Sequence, residues 1–406
     1  MRALLRNRNA RLYLTGQVIS LFGDSALWLA MAIWIKVLTG SSSAAGLSWF
    51  ALAVGSLFGP LGGVLADRFR RRPILVATNL ATAGLVLLLL LVRDRHQVWL
   101  IYTVMFGYGV SGSLLGPAQT ALVQAIVPAE LLGDANGALQ TAQQGMRLVT
   151  PLAGAGLFAV LGPVPVLIGD AATFLVAVAT LVAITVREAR VVPAARHWFA
   201  ELTAGAHHIA RTIPLRQLTV TAGIVVTAYG LSETIPFAVV SHGLHRSAPF
   251  VGVLTAAQGV GAIIAGLVAG PLMRRVSEHL LAVLGMVSAG AGYLLLMPAY
   301  LPPVLAGSAL LGASLSWIIA GIMTLFQRRT PPELMGRTDA AFTFCYAVPQ
   351  TAAIAAGAGL IAVLSYRLML LIIATVMTLA AGYLASRIEQ PLRTQVNLPQ
   401  DPTAAG

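Results

Sequence analysis

The sequence predicts an all-α protein that crosses a membrane twelve times, built from two copies of one six-helix unit. Three observations carry this. Of 406 residues, 57% are apolar and only 10% charged, whereas soluble domains run to about 25% charged. Long runs carry no charge at all: 73–92, 97–129, 247–273, 279–327, 340–366 and 368–386. A helix needs roughly 20 apolar residues to cross the hydrocarbon core, and the shortest run just suffices. Finally, the chain repeats itself. The stretch from Gly63 to Arg72 lies at one fixed offset before Gly266 to Arg275, and that offset also carries Pro128, Glu130 and Gly133 onto Pro331, Glu333 and Gly336. It further carries Gln124 onto Gln327 and Gly154, Gly156 and Leu157 onto Gly357, Gly359 and Leu360. Self-similarity at a fixed period signals a duplicated structural unit.

The first unit holds spans near 12–38, 44–66, 73–92, 97–120, 134–160 and 164–186. The second holds spans near 216–240, 248–271, 279–297, 303–326, 338–363 and 367–386. The neutral run 279–327 is long enough for two crossings and is split by Pro298, Pro302 and Pro303. Between the units lies the longest polar segment, Arg187 to Arg216, where Trp198, Phe199 and several charges fit a short helix lying in the interface. The expected divisions are a first half over 1–190, a cytoplasmic linker over 191–212, a second half over 213–390 and a cytoplasmic tail over 391–406.

An even number of spans places both termini on one side. Loops on that side hold Arg2, Arg6, Arg8, Arg11, the cluster from Arg68 to Arg72, Arg187, Arg190, Arg196, Arg211, Arg216, Arg274, Arg275, Arg328, Arg329, Arg337, Arg387 and Arg393. The opposite loops hold only Arg93, Arg95, Arg246 and Arg367. Positive charge collects in cytoplasmic loops, so both termini are expected in the cytoplasm and the protein in the cytoplasmic membrane. The net charge of +12 then faces the anionic inner leaflet and does not argue for nucleic acid. The first apolar stretch is too long for a signal peptide and has no small-residue cleavage site, so it is read as a span. A single cysteine, Cys345, leaves no internal disulfide and no cysteine-based metal cluster. The seven histidines fall in loops or at span ends, so no intramembrane histidine relay and no metal or cofactor is expected.

Gly107, Gly109 and Gly112 match the spacing of a dinucleotide fingerprint. That pattern has meaning only between a strand and a helix, and here it sits inside an apolar span, where glycines let helices approach closely. Protease, P-loop and nucleophile-elbow patterns find no suitable context, so an enzyme is not expected.

Asp67 and the arginines after it form a short charged loop between the second and third spans. Asp67 can accept from free amides at the start of the third helix. The cluster reads either as a topology anchor or as a latch that pairs across the two halves and breaks on a change of state.

These residues resemble the signature loop of the major facilitator superfamily, Gly-x-x-x-Asp-Arg-x-Gly-Arg-Arg/Lys. Gly63, Asp67, Arg68, Arg71 and Arg72 match, and Arg70 stands where glycine is usual. The second-half copy has Gly270 in place of the acid. Within the superfamily the chain resembles the drug-efflux branch that holds the enterobactin exporter and the macrolide efflux proteins. Gly16, Gln17, Gly23 and Asp24 in the first span carry this, with Pro128, Glu130, Ala135 and Asn136 before the fifth and the run from Pro331 to Arg337 before the eleventh. Of the antiporter motif in the fifth helix, Gly137, Pro151 and Gly154 match, while Met146 and Thr150 replace glycines. The resemblance spans residues 8–388. It implies two six-helix halves related by a pseudo-two-fold axis along the membrane normal, with a substrate cavity between them near the midplane.

A charge at the bilayer centre costs roughly 2.5–3.5 kcal/mol on the insertion scale, so buried charges are usually paired or functional. The spans hold Asp24, Lys36, Arg147, Asp170 and Glu233, with Asp339 at the mouth of the eleventh. Helical spacing puts Asp24 on a face with Gln17, Ser20, Trp28 and Met31, Arg147 with Gln140, Gln143, Gln144 and Thr150, and Glu233 with Tyr229 and Phe237. Lys36, the only lysine, lies near the outer end of its span and is expected to snorkel. Asp170 is assigned a structural hydrogen-bonding role, because the family fold puts the sixth helix at the periphery. Asp24 and Arg147 are expected to pair, for structure or for mechanism. Glu233 has no evident basic partner in its half, which makes it, with Asp24, the candidate for proton coupling.

The reading that follows is a monomeric secondary exporter of a hydrophobic or amphipathic small molecule, working by proton antiport and alternating access. Gln17, Trp28, Met31, Tyr108, Gln143, Tyr229, Phe237, Phe342 and Tyr346 are the candidates for the cavity wall. Two alternatives stand beside it: an importer or facilitator of a small metabolite, and a membrane receptor or scaffold that moves nothing.

Overall fold

In a computed structural model the described residues are 6–58, 71–128, 131–185, 198–273, 275–331 and 334–387, and among them there is no β-strand. The first half contains α1 (Arg8–Thr39), α2 (Ser42–Ser56), α3 (Arg71–Leu88), α4 (Val98–Ile126), α5 (Leu132–Leu161) and α6 (Pro163–Ala183). A separate helix, α7 (Trp198–Arg211), lies in the connecting segment. The second half contains α8 (Ile213–Ser232), its short continuation α9 (Ile235–Ala238), α10 (Val251–Met273), α11 (Glu278–Leu295), α12 (Leu301–Arg329), α13 (Met335–Val363) and α14 (Tyr366–Arg387). The fold is the all-α arrangement of twelve membrane helices in two six-helix halves.

Ten of these segments are long and apolar enough to span a bilayer. The other two are described only in part: α2 is followed to Ser56, with 59–70 outside the described residues, and the apolar stretch Leu152–Leu161 is the part of α5 whose side chains are described without a break. Side chains that point away from the bundle are apolar, with Val160 80%, Val363 78% and Leu267 76% exposed. Such a surface is stable against lipid and not against water.

Helix ends follow from their capping residues. Asn7 opens α1 by accepting from the amides of Asn9 and Ala10, and Gly40 closes it with φ 70°, the left-handed value that glycine adopts without cost. Ser41 caps α2 and Ser277 caps α11, where Glu278 in the first turn complements the helix dipole. Lys36 does lie at the end of α1, where its Nζ donates to the Gly40 carbonyl at 2.8 Å and to Ser42 Oγ at 2.9 Å. The lysine therefore closes the α1–α2 turn.

The duplication seen in the sequence reappears as packing. A methyl added at Gly109 would meet the backbone of Leu52, Ser56 and Gly55, so α4 and α2 cross backbone to backbone. The equivalent Gly312 meets the backbone of Gln258 and Ala262, so α12 and α10 cross in the same way. Gly154 against Ala26 joins α5 to α1, and its equivalent Gly357 against Leu231 joins α13 to α8. Small residues that let helix backbones touch are the usual means of association in lipid, where apolar side chains gain little from meeting each other.

Between the halves, α2 packs along α13 and α5 along α10. At the end of the bundle away from the chain termini the halves meet directly. Ser43 Oγ donates to the Ala358 carbonyl, and Gly46 of α2 lies against Thr234 beside α9. The turn Ala248–Phe250 seats on α1 and α5.

Candidate functional site

The site is built around an interruption. Pro236 has no amide proton to give to Ser232 four residues earlier. Helix α8 ends at Ser232, and the chain turns through Glu233 and Thr234 before α9 and a π-helical turn over Val239–Gly243. The break aims Glu233 into a cavity of about 340 Å³ between the halves. Ser25, Trp28 and Leu29 of α1 and Trp49 of α2 form one wall. Pro236, Phe237, Val251, Thr255, Gln258, Gly259, Ala262, Gly312 and Leu315 form the other. The volume lies within the roughly 300–1,000 Å³ of small-molecule sites, and the mix of an apolar wall with few polar groups is also typical of them.

Glu233 also borders a smaller cavity of about 110 Å³ inside the second half, with Tyr229, Ser232, Gln258, Tyr293 and Ser308. That cavity is ordered by hydrogen bonds. Tyr293 Oη donates to Ser232 Oγ at 3.0 Å, and Tyr229 Oη lies 2.8 Å from Ser314 Oγ. The carboxylate thus borders two chambers, of which the smaller has the larger share of polar groups in its wall, and no cation pairs with it among the described residues.

In the first half, Asp24 belongs to a buried cluster. Tyr108 Oη of α4 lies 2.9 Å from Asp24 Oδ1 and 2.7 Å from Asp170 Oδ2 of α6. Asp170 is 1% exposed and its Oδ1 has no partner. Asp170 does hydrogen-bond, the role assigned to it, and it sits on the inward face of a helix whose other face is open, with Ile168 and Leu175 each 53% exposed. Gly23 removes a side chain that would strike Asp170 and Thr173, which lets α6 press onto α1 and turns Asp170 inward. Trp28 stands edge-on to Tyr108, centroids 6.1 Å apart, and its buried Nε1 has no acceptor. Trp28 thus touches the central cavity on one side and the acid cluster on the other.

The remaining expected residues divide by position. Met31 and Phe342 are buried in helix packing and not at the cavity wall. Every residue of α1 from Ala30 to Lys36 is buried, so this helix is surrounded and a one-face reading of its spacing misleads. Phe342 stacks on Phe326 of α12 at 4.7 Å, and Tyr346 packs against Phe342 at 5.6 Å. Gln17 accepts from Gln119 Nε2 at 3.0 Å in a separate cleft with Tyr13, Asn79 and Thr180. Tyr108 lies behind Trp28, and Tyr229 lines the smaller cavity. The side chains of Gln143 and Arg147, and residues Gly63, Asp67 and Arg68, lie outside the described residues. Arg71 opens α3, and Arg72 donates to the Val182 carbonyl at the end of α6. Sequence reasoning passed over Trp49, Thr255 and Gln258. Gln258 could have been found as the lone amide in the neutral run 247–273, because an amide in lipid also needs a partner.

Comparison with known proteins follows the same lines. Macrolide efflux protein A of Streptococcus pyogenes is 30% identical over 148 residues, and the chain spans only 36% of that protein's length, as of its own. Enterobactin exporter EntS of Salmonella typhimurium is 27% identical over 356 residues, covering 84% of this chain and 83% of EntS. Among solved structures, a bacterial homologue of the iron transporter ferroportin in an inward-facing state superposes with a TM-score of 0.72 at 15% identity, over 94% of this chain and 98% of that one. The sequence profile of the Major Facilitator Superfamily matches residues 13–237 and, again, 218–404. A profile matched twice in tandem by a duplicated bundle of this architecture leaves one assignment: the chain belongs to the Major Facilitator Superfamily.

Proposed function

We propose that this protein is a secondary active exporter that moves a hydrophobic or amphipathic small molecule across the cytoplasmic membrane by proton antiport. One observation carries the reading: a mostly apolar chamber between the halves that holds a single carboxylate, Glu233, with no cation facing it among the described residues. An apolar chamber suits an amphipathic cargo, while a polar metabolite would call for more hydrogen-bonding groups on the wall. The functions of the relatives, macrolide efflux and enterobactin export, favour outward movement and bulky cargo.

In this reading residues 1–190 rock against 213–390, with 191–212 as linker and 391–406 as tail, both termini being cytoplasmic. The contacts at Ser43–Ala358 and Gly46–Thr234 close one end of the bundle in one state and part in the other. Gly63, Asp67, Arg68, Arg71 and Arg72 act as a latch at the opposite end. Apolar surroundings disfavour a lone charge, so Glu233 takes a proton when no cargo satisfies it. A cationic or hydrogen-bonding cargo displaces that proton, and exchange results from mutual exclusion at one carboxylate.

The test uses proteoliposomes under an imposed pH difference, with a panel of amphipathic antibiotics and dyes as cargo. Glu233→Gln should abolish proton-driven accumulation and keep downhill exchange. A variant that still concentrates cargo against its gradient removes Glu233 from coupling, and Asp24 becomes the next carboxylate to test. Absence of flux for every compound in the wild-type protein favours a receptor or scaffold instead.

A further inference from the structure

We infer that Asp24, Tyr108 and Asp170 form a second proton-binding site, in which one buried proton is shared between two carboxyl groups through the tyrosine hydroxyl. The hydrogens available to the three oxygens can be counted. Tyr108 Oη is within hydrogen-bond distance of both Asp24 Oδ1, at 2.9 Å, and Asp170 Oδ2, at 2.7 Å. A phenol has one proton to donate. It can satisfy one carboxylate, and the other short O···O contact then sets two lone-pair-bearing atoms against each other. The contact becomes a bond only when that carboxyl carries a proton and donates it to the phenol oxygen. A singly protonated cluster satisfies both contacts.

Independent of that count, Asp170 is 1% exposed and its second oxygen, Oδ1, meets no donor. An ionised carboxylate buried with an unpartnered oxygen is strongly disfavoured, and a neutral carboxyl is not. The surroundings supply no counter-charge among the described side chains. The buried polar side chains of α3 are Asn79 and Thr82, which are engaged by the Leu75 carbonyl and by Ser111. Thr173 of α6 donates to its own helix backbone, and Lys36 of α1 is held at the α1–α2 turn. On α5, Arg147 is the cation whose side chain lies outside the described residues. Its approach to Asp24 would leave the proton on Asp170 and would not remove the need for it.

The shared proton can also move without a net change of charge. Asp170 gives its proton to the phenol oxygen while the phenol proton passes to Asp24, and the cluster remains a monoanion throughout. Trp28, edge-on to Tyr108 and on the wall of the central cavity, places this relay one side chain away from the cargo. Its use in transport rests on the proton-antiport reading above, whereas its existence does not.

The test therefore reads the proton and not the transport. Infrared spectra of the purified full-length protein at neutral pH, with hydrogen–deuterium exchange to assign the band, should contain a carboxylic-acid C=O component. That component should be lost in Asp170→Asn, because the phenol proton alone then satisfies Asp24. It should shift in Asp24→Asn, where Asp170, buried with an unpartnered oxygen, keeps its proton while its phenol partner loses the second acid. Tyr108→Phe, which deletes only the shared hydroxyl, should shift the component and serves if an Asp variant fails to fold. Glu233→Gln identifies and subtracts the signal of the cavity carboxylate. A C=O component unchanged in Asp24→Asn, Asp170→Asn and Tyr108→Phe overturns the proposal. Absence of proton-driven transport in the wild-type protein with the component present counts against antiport and leaves the shared proton standing.

Discussion

Two glycines three residues apart on α4 should respond in opposite ways to the same added methyl. At Gly109 the new carbon would meet the Leu52 carbonyl, the Ser56 amide at 2.8 Å and Gly55 Cα at 2.9 Å, all backbone atoms that cannot rotate away. At Gly112 it would meet nothing within 4 Å. Forcing a methyl into a packed contact typically costs about 1–3 kcal/mol, while alanine gains about 0.8–1 kcal/mol over glycine as a helix former. Helix propensity enters both variants equally and cancels between them. Gly112→Ala should therefore be neutral or more stable than wild type, and Gly109→Ala should lie about 1–3 kcal/mol below Gly112→Ala. Unfolding in mixed detergent micelles, followed by tryptophan fluorescence, measures the gap directly. The duplication supplies a second close contact at Gly312, where an added methyl meets the Gln258 backbone, and Gly266 on α10, where it meets open space, serves as its control. Equal stability of Gly109→Ala and Gly112→Ala, or the reverse order, would refute the backbone-contact account of how the helices cross.

Trp28 lines the cavity, and its indole N–H is buried beside it without an acceptor. If cargo uses it, Trp28→Phe should raise KM about 2- to 12-fold, from the roughly 0.5–1.5 kcal/mol of one hydrogen bond, with little change in kcat. Unchanged KM across every transported compound would show that the donor is idle. For topology, single cysteines at His207 and His242 in a Cys345→Ala background should be labelled on intact cells only at position 242. Labelling at 207 alone would invert the proposed direction of transport. Asp24→Asn and Arg147→Gln should each impair the protein if the two charges pair, since an uncompensated buried charge costs about 3–5 kcal/mol. The double variant should then recover part of the loss, and strictly additive damage would argue against the pair.

The fold was legible because its causes are local and periodic. Charge-free runs reveal crossings without any tertiary knowledge, and Pro298, Pro302 and Pro303 marked the division between α11 and α12. The site was only half legible. Glu233 and Phe237 share one helical face and do line one cavity, because Pro236 breaks the helix beside them. Met31 was misplaced, because α1 is enclosed on every side from Ala30 to Lys36 and no single face is special there. The meeting of Asp24 with Asp170 could not be read from spacing. It depends on Gly23 admitting α6, a contact between helices far apart in the chain.

The two halves have kept the architecture of their common unit and parted in their chemistry. The offset that carries Gly109 onto Gly312 and Gly154 onto Gly357 preserves the close approaches that fix helix positions. The same offset carries Asp24 onto Thr227, Tyr108 onto Leu311 and Asp170 onto Ile373, and it sets Ala30 opposite Glu233. No carboxylate of the site has a counterpart in the other half. Backbone contacts at glycines must be retained in both copies for the rods to pack, whereas a buried acid costs stability wherever it stands. Each half therefore retains acids only where something uses them: a shared proton behind Trp28 in the first half, and a lone carboxylate facing the cavity in the second. Exchanging the pairs tests this division. Moving an acid to the equivalent position, as in Ala30→Glu with Glu233→Ala, should not restore coupled transport, because Ala30 is fully buried in α1 and gives a carboxylate no route to the cavity. Restored coupling would mean that the halves are interchangeable, and that the position of the acid within the chamber does not matter.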